Sequence, residues 1–364
     1  MTSFARRVWR SARWIAAAAK GPTILRPERI SGLAGLGALH HSAHLSVWPE
    51  SEDSTCRLSL GRKVYIGKDV EIAAIGPGSV HIGDFTTIQD RCQIYGDLYI
   101  GAHCIFARNA LVISTEHVIR EKPTWLISDQ DVLYAELVRE NARPRGQKIW
   151  IEEDCWLGWG CTIMPGVYIG RGAVIGSNSV VTRNVAPYEI HGGVPNRRIS
   201  ERFDFSPPAA IDALNDRHLP YFYRGFRLRQ ADLAESRSRG CIGAGFETAL
   251  VLSGVENPVA LITGRRLRDG GPLTLQFSIN GADCGKHVIH DEEFKLNVSP
   301  HSPHLEKQTR LPPPLQSHTV IEITAENDAP QSELKFELAS ARLEPNQMTV
   351  AAATTKTAMP PFFE

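Results

Sequence analysis

The first half of the chain places an aliphatic or aromatic side chain at every sixth position. The pattern runs from Ile66 to Val112, with one four-residue insertion between Ile72 and Ile82. It then stops, and it resumes from Ile151 to Val181. The repeating positions are Ile66, Ile72, Ile82, Ile88, Ile94, Ile100, Phe106, Val112, Ile151, Leu157, Ile163, Ile169, Ile175 and Val181. Most residues two positions earlier are small or β-branched, with Leu98 as the larger exception. Because alternate residues of a strand share a face, each pair predicts a short strand with two inward side chains.

A corner is predicted after each of these strands. Glycine often follows the aliphatic residue directly, as at Gly83 and Gly101, and its conformational freedom would let the chain bend there. Three sides of six residues close a triangular coil, so that residues 18 apart, such as Ile82 and Ile100, stack as parallel strands about 4.8 Å apart. The repeat therefore predicts a mainly β fold that begins with a parallel β-helix.

Cysteine use agrees with this fold. The chain has 7 cysteines, an odd number that favours reduced thiols over a disulfide framework. Four of them occupy the small inward position of the repeat, namely Cys92, Cys104, Cys155 and Cys161. A buried thiol that acts as a small hydrophobic side chain explains them better than a metal or redox site.

The end of the repeat carries an ordered signature. Its parts are Trp156-Leu-Gly158, Pro165-Gly166, Gly176-Ser-Asn-Ser179 and Gly193-Val-Pro195. This signature resembles the hexapeptide-repeat acyltransferases, in particular the maltose, galactoside and xenobiotic acetyltransferase branch, over about residues 60–200. The resemblance implies a left-handed parallel β-helix, acetyl-CoA as co-substrate, and a homotrimer with sites between neighbouring β-helices.

The repeat is interrupted between Val112 and Ile149 by a long protruding loop, residues 113–148, and loops of this length in regular scaffolds are often functional. His117 lies near its start. Transfer of an acyl group from a thioester to a hydroxyl needs a base that titrates near neutrality, and histidine meets this need. The resemblance matches His117 to the family's catalytic base, while a loop histidine without a role is the alternative.

Further site residues follow from the resemblance alone. It implies a backbone N–H donor to the oxyanion in the turn after Trp156, at Trp159 or Gly160. It also implies coenzyme A contacts on the last coils, at Ser177, Thr182, Arg183 and Arg197. Asp90 and Asn109 are candidate contacts to the acceptor sugar, and ordinary turn residues are the alternative.

A metal site is the weaker prediction for the histidines. His81 and His103 are present where some proteins with this fold bind zinc, but the second histidine expected shortly after His117 is absent. The other histidines lack cysteine or acidic partners in a recognisable pattern. We therefore expect no metal cofactor.

The N-terminal segment, residues 1–29, predicts a basic amphipathic helix. Over residues 3–20, at about 100° per residue, basic side chains share one face and apolar ones the opposite face. Such a helix fits contact with an anionic membrane surface and fits equally well packing on a neighbouring subunit. Over the whole chain 40 Lys and Arg balance 40 Asp and Glu, which argues against a nucleic-acid partner bound through bulk charge.

The second half has a different composition. We divide the chain into a β-helix domain at 30–200, whose residues 30–60 cover the first coil, and a linker at 201–245 with a short helix near Ala209 to Asn215. Alternating apolar segments around an Asn280-Gly281 turn predict an antiparallel β-sandwich at 246–345, of jelly-roll type. Residues 346–364 are predicted to be a disordered tail.

Together these features predict an acetyl-CoA-dependent O-acetyltransferase. Its acceptor would be a sugar hydroxyl of a bacterial surface polysaccharide or its precursor. No apolar run reaches the length of about 18 residues that a membrane span needs, so we expect a cytoplasmic protein, with or without peripheral contact to the inner face of the cell membrane. An amino-sugar N-acetyltransferase and a noncatalytic β-helix scaffold are the alternatives.

Overall fold

A computed structural model describes residues 21–49, 51–133, 146–255, 258–267, 272–300, 315–326 and 336–345. The chain forms two compact units, residues 1–204 and 205–364. The predicted amphipathic helix at 3–20 and the predicted tail at 346–364 lie outside the described residues and stay predictions. No helix among the described residues has the length and apolar character that crossing a membrane takes.

The described part of the first unit consists mostly of short strands and the corners between them. In chain order they are β1 (Thr23–Leu25), β2 (Ile30–Ser31), β3 (Ala38–Leu39), β4 (His44–Trp48), β5 (Leu58–Leu60), β6 (Tyr65–Ile66), β7 (Glu71–Ile75), β8 (Val80–Ile82), β9 (Thr87–Ile88), β10 (Gln93–Gly96), β11 (Leu98–Ile100), β12 (Ile105–Phe106), β13 (Leu111–Ile113), β14 (Ile149–Ile151), β15 (Trp156–Leu157), β16 (Thr162–Ile163), β17 (Tyr168–Ile169), β18 (Val174–Ile175), β19 (Val180–Val181), β20 (Glu189–Gly192) and β21 (Arg197–Glu201). Two 3₁₀ helices, Pro27–Arg29 and Leu33–Gly35, lie between early strands. The described residues 127–133 are helical, and we name this segment α1.

The described strands of this unit form three sheets. Sheet 1 has the order β1-β4-β7-β10-β13-β16-β19, sheet 2 has β17-β14-β11-β8-β5-β2, and sheet 3 has β21-β20-β18-β15-β12-β9-β6-β3. The pairs are parallel except β20 with β21, and as far as β19 successive strands of the chain visit sheets 1, 2 and 3 in turn. Ile82 pairs with Ile100 and Ile163 with Val181, so the stacking of residues 18 apart is confirmed. Parallel sheets in this cyclic order are consistent with a β-helix, and its left hand stays a prediction.

The inward face of the coils is also confirmed. Each predicted aliphatic position from Ile66 to Val181 is buried, and so are Leu98 and the four repeat cysteines. Thr86 is one of the polar side chains on this inner face, and its hydroxyl donates to the Gly101 carbonyl at 2.8 Å. Burying such a hydroxyl is tolerated because its hydrogen bond is made.

The coils begin earlier than the repeat in the sequence. Residues 30–60 were predicted to cover the first coil, but β1 to β3 form a first coil and β4 to β6 a second. Nine residues separate Trp48 at the end of β4 from Leu58 at the start of β5. A six-residue spacing is lost when corners differ in length, although the strands still stack in register.

Glycine occurs at the corners for a different reason from the conformational freedom that we predicted. Gly83 and Gly101 are absent from the residues with positive φ. A Cβ on Gly83 would lie 2.4 Å from the Ala102 nitrogen, and one on Gly101 would lie 2.6 Å from the Glu153 nitrogen. Glycine is therefore required because the next coil approaches closely, while the left-handed backbone falls on corner residues such as His103, with φ 62°.

The second unit is antiparallel. Its strands are β22 (Ala210–Asp212), β23 (Phe222–Phe226), β24 (Ile242–Ser253), β25 (Pro258–Arg266), β26 (Leu273–Ile279), β27 (Ala282–Ile289), β28 (Glu293–Val298), β29 (His318–Glu326) and β30 (Phe336–Pro345), with the 3₁₀ helix Asp216–Tyr221 and the helix α2 (Gln230–Arg237). Among the described residues, hydrogen bonds join these strands into one sheet with the main order β27-β26-β29-β24-β30-β25-β28. The antiparallel strands are confirmed, and the division into two layers of a jelly roll stays a prediction.

The segment predicted as a linker belongs to this sheet. β22 pairs with β30 and β23 pairs with β24. The helix predicted near Ala209 to Asn215 is wrong, because residues 210–212 form β22 and Ile211 is buried. Pairing with a distant strand decided the conformation of this segment, which its local composition could not show.

The burial of the cysteines leads to a labelling prediction. All 7 cysteines are free thiols and buried, and burial raises the pKa of Cys92 and Cys284 to about 11 and that of Cys161 to about 12. At pH 8 we expect a thiol-reactive disulfide reagent to modify the folded protein very slowly and to count 7 thiols after denaturation, since the thiolate is the reactive form. Rapid labelling of the folded protein would contradict this burial.

Candidate active site

The long loop leaves the stacked coils after β13, at the corner between sheets 1 and 2, and returns to them at β14. Its two ends are tied together, because the Gln147 N–H donates to the Ser114 carbonyl at 3.1 Å. Gly146 has a φ of 88°, and a Cβ at this residue would lie 1.7 Å from the Ser114 oxygen. The Ser114 hydroxyl accepts from the Asp97 N–H at 2.7 Å, which fixes the neck to the preceding coil. The residues after Ser114 therefore start from a well-defined position.

His117 lies three residues beyond this neck and is paired with a carboxylate. Its Nδ1 is 2.7 Å from Oδ2 of Asp131, whose other oxygen accepts from the Val118 N–H at 3.0 Å. The His117 side chain is 78% exposed and that of Asp131 is 19% exposed. When Nδ1 carries the proton that Asp131 accepts, Nε2 of the neutral ring keeps its lone pair. The arrangement leaves a proton acceptor facing solvent.

Asp131 was not predicted from the sequence. It lies on α1, 14 residues after His117, and no spacing rule connects the two positions. Acidic residues also occur at Glu116, Glu121 and Asp129 in this loop, so residue type alone could not select it. The fold of the loop makes the choice by bringing α1 back onto its first residues.

The predicted oxyanion donors lie at another corner. Trp159 and Gly160 follow β15, between sheets 3 and 1. The Gly160 N–H already donates to the Arg108 carbonyl at 3.0 Å, which favours Trp159 over Gly160 as the donor, and the oxyanion role itself stays a prediction. No hydrogen bond to the Trp159 N–H is found among the described residues, and Trp159 is 49% exposed. Trp159 therefore remains the candidate donor.

Asp90 and Asn109 lie at the same corner as Trp159, not at the neck of the loop. Asp90 accepts from the Lys68 N–H at 3.0 Å and lies 3.4 Å from the Arg108 guanidinium. Asn109 has a φ of 61° and accepts from Arg91 at 2.8 Å. Both side chains thus stabilise turns between stacked coils, and the structure does not bring either beside His117.

The four residues matched to coenzyme A are all exposed. They are Ser177, Thr182, Arg183 and Arg197. Ser177 lies at the corner between sheets 3 and 1, one coil beyond Trp159, whereas Thr182 and Arg183 directly follow β19, at the corner from which the loop leaves in an earlier coil. Arg197 begins the antiparallel strand β21. The structure therefore divides these candidates between two corners of the stacked coils.

A buried ion pair supports the coils next to the loop. Arg171 donates to Glu153 at 2.7 Å, and the two side chains are 7% and 6% exposed. Arg171 also donates to the Tyr188 hydroxyl at 3.2 Å. Glu153 follows β14, the strand through which the loop returns. Arg171 and Tyr188 lie at the same corner in the next two coils, so these contacts join that coil to the two after it.

Metal ligands do not cluster in the described part of the chain, where no group of three His, Cys, Asp or Glu side chains could hold an ion.

Comparison with known proteins finds a family model and relatives that match the repeat. The family model for the bacterial transferase hexapeptide (six repeats) matches residues 148–183. A chloramphenicol acetyltransferase of Klebsiella aerogenes is 53% identical over 53 residues, 15% of this chain and 25% of the relative. A putative colanic acid biosynthesis acetyltransferase of Escherichia coli K12 is 28% identical over 147 residues, 40% of this chain and 70% of the relative. Over its repeat the chain is therefore similar to acetyltransferases of the hexapeptide-repeat family.

The hexapeptide match covers the coils that carry Trp159 and Ser177 and ends at Arg183, so that His117 and Asp131 lie outside it. The chain spans about a quarter of the length of the chloramphenicol acetyltransferase. A solved hexapeptide-repeat acetyltransferase from Vibrio cholerae, complexed with acetyl coenzyme A, is 24% identical with a TM-score of 0.32 and covers 40% of this chain and 70% of its own.

Proposed function

We propose that the protein is an acetyl-CoA-dependent O-acetyltransferase whose acceptor is a sugar hydroxyl of a bacterial surface polysaccharide or its precursor. The observation that carries this proposal is the His117–Asp131 pair, a base with its orienting carboxylate on the loop that interrupts a hexapeptide repeat. The relative named for colanic acid biosynthesis supports the choice of acceptor class.

In the proposed reaction Nε2 of His117 removes the proton from the acceptor hydroxyl. The oxygen attacks the thioester carbonyl, a C–O bond forms, and the negative charge on the carbonyl oxygen is stabilised by the Trp159 N–H. When the intermediate collapses, the C–S bond breaks and protonated His117 returns its proton to the thiolate. Asp131 keeps the Nδ1 proton in place and stabilises the positive ring, as a positioning residue that does not touch the substrate.

A neighbouring chain completes this site in our proposal. Ser114 follows a strand of sheet 1 and Trp159 precedes one, so the two residues lie at opposite ends of this side of the coils. A side of six residues spans on the order of 15–20 Å. One copy thus presents His117 at one corner and Trp159 at another. Rotation about a three-fold axis would place unlike corners of neighbouring copies together, which supports a homotrimer.

Coenzyme A would then lie along the last coils. Ser177 and Thr182 offer hydroxyls, and the exposed guanidinium groups of Arg183 and Arg197 suit the nucleotide phosphates because they donate paired hydrogen bonds to anionic oxygens.

The deciding experiment is mass spectrometry of candidate glycans incubated with acetyl-CoA. Esters on hydroxyls and amides on amines differ in their stability to mild base, so the product also distinguishes an O-acetyltransferase from an amino-sugar N-acetyltransferase. Acetylation of a sugar hydroxyl supports the proposal. Amide products alone would replace it with the N-acetyl alternative, and the absence of acetylated products would favour a noncatalytic scaffold.

Replacing Asp131 with Asn should lower kcat by about 10²-fold or more, because an amide can present its N–H to Nδ1 and favour the wrong tautomer. KM for acetyl-CoA should change little, since Asp131 does not contact the substrate. Asp131→Glu should recover part of the lost kcat. Equal kcat in wild-type protein and Asp131→Asn would contradict the positioning role.

Mixed oligomers test the shared site. His117→Ala lacks the base, and Trp159→Pro lacks the N–H donor. Each variant should be inactive alone. After the two are refolded together in equal amounts, about one quarter of the sites should combine a native His117 from one chain with a native Trp159 from its neighbour. Light scattering should report about three times 40.2 kDa for the wild-type protein. Recovery of activity with a trimeric mass is expected, and no recovery would place both groups in one chain.

A further inference from the structure

The second unit has a polar groove on its sheet that the proposed catalytic site does not use. It encloses about 400 Å³ and crosses β23, β24, β29, β26 and β27. Its principal polar side chains are Arg224, Glu247, Gln276, Ser278, Asp283 and Glu322. A volume of this size is within the range of about 300–1,000 Å³ found for small-ligand sites.

Strand register explains why these side chains meet. Arg224 pairs with Ala249, which pairs with Glu322, which pairs with Ser278, which pairs with Asp283. Residues directly opposite each other in an antiparallel sheet point to the same side, so this set forms one row across five strands. The small Ala249 and Ser278 alternate with longer residues and leave room between them.

Both ends of the row lie at register irregularities. The β23–β24 register shifts on both sides of Arg224, and the β26–β27 register shifts between Phe277 and Ser278, near Gly285 with φ 83°. On the first side, Gly225 has φ 77° and could not carry a Cβ, which would lie 2.0 Å from the Glu247 oxygen. β-Bulges re-aim side chains and are frequent beside functional sites. Here they set the directions of Arg224 and Asp283.

Hydrogen bonds hold the polar groups in place before any ligand binds. Glu322 accepts from Ser278 at 3.0 Å and from Arg224 at 3.4 Å, one carboxylate oxygen for each donor. Asp283 accepts from the Gln276 amide and, at 2.9 Å, from the Gly285 N–H. Each carboxylate oxygen has more than one lone pair, so both groups can accept further hydrogen bonds, and the guanidinium and amide have several N–H donors. The groove is thus a fixed array of planar donors and acceptors.

Charge selects the class of ligand. Among its described lining residues the groove has one cationic side chain, Arg224, and three anionic ones, Glu247, Asp283 and Glu322, which gives this lining a formal charge of −2. An acidic ligand would be repelled, since like charges across an interface oppose binding. Hydroxyl groups both donate and accept, and they match an array that mixes carboxylates, an amide and a guanidinium. Uncharged sugars carry such hydroxyls on every ring.

We propose that this groove binds an uncharged oligosaccharide, separately from the catalytic loop and without a need for acetyl-CoA. The site would hold a segment of glycan on the second unit. It goes beyond the proposed acetyl transfer, and binding by the groove can be measured whether or not the protein acetylates a sugar.

The test is titration calorimetry of the full chain, without acetyl-CoA, against neutral oligosaccharides of glucose, galactose, mannose and N-acetylhexosamines, with uronic-acid oligosaccharides of equal length in parallel. We expect binding of at least one neutral series and weaker or no binding of the uronic acids. Ser278→Trp should lower the affinity for the neutral ligand at least tenfold by filling the groove. Glu322→Gln, which changes no volume, should also weaken binding.

Glu293→Gln is the matched control, because Glu293 is an exposed carboxylate on β28, at the opposite end of the same sheet. It should bind like the wild-type protein. If Ser278→Trp fails to fold, as judged by circular dichroism, Glu322→Gln and Gln276→Ala carry the test. The proposal is overturned if no neutral series binds, if uronic acids bind more tightly, or if the folded groove variants keep wild-type affinity.

Discussion

Replacing His117 with alanine is expected to lower the rate of acetyl transfer by about 10²–10⁴-fold, the range that a general base contributes. The ring is the exposed partner of Asp131, and the proposed mechanism gives it two proton transfers, one from the acceptor and one to the thiolate. The measurement is thiol release from acetyl-CoA in the presence of the acceptor. Acetyl-CoA binding should be retained, because the proposed coenzyme contacts lie on other coils.

Two variants make this result specific. His117→Gln keeps a hydrogen-bonding side chain but removes the imidazole ring, so its rate should be as low as that of His117→Ala. His41→Ala removes an exposed histidine from the same unit and should leave the rate unchanged. Unchanged turnover in His117→Ala would sink the proposed mechanism, and the absence of turnover in the wild-type protein with every acceptor would favour a scaffold.

Replacing Arg171 with methionine should lower the free energy of unfolding of the first unit by about 3–5 kcal/mol. This is the usual cost of leaving a buried charge without its partner, here the Glu153 carboxylate. All 7 tryptophans lie between Trp9 and Trp159, within residues 1–204, so tryptophan fluorescence during urea unfolding reports on this unit alone. We expect a lower midpoint with a similar slope.

The matched control is Arg62→Met. Arg62 and Asp84 also approach to 2.7 Å, but their side chains are 42% and 30% exposed. Exposed pairs contribute about 0–1 kcal/mol, so this variant should unfold close to the wild-type midpoint. The double variant Arg171→Met with Glu153→Leu should recover much of the lost stability, because it removes both charges. Equal losses for Arg171→Met and Arg62→Met would contradict the role given to burial.

Most of the first unit could be predicted because its order is local. Each coil repeats the same choice of inward side chain, and Ile82, Ile100 and Val181 all obey it. The prediction failed before residue 60, where corners of unequal length hide the period although the strands still stack. It also failed near residues 209–215, where pairing of β22 with β30 overrides local helical composition.

The candidate site was predictable only in part. His117 could be selected because it follows the break in the repeat. Asp131 could not, because its partnership with His117 depends on how the loop returns. Gly160 was a reasonable oxyanion donor by resemblance, yet its N–H is committed to Arg108 in the preceding coil. Whether a backbone N–H is available depends on the neighbour stacked beside it.

The sequence by itself determined the parallel coils, the inward burial of the repeat and the place where a long loop interrupts it, because these follow from periodicity along the chain. Tertiary structure alone decided that Asp131 meets His117, that the N–H of Gly160 but not that of Trp159 is hydrogen-bonded among the described residues, and that Arg224 and Asp283 share a groove. These contacts join segments that are distant along the chain, and hydrogen-bond geometry is set only when folding brings such segments within about 3 Å.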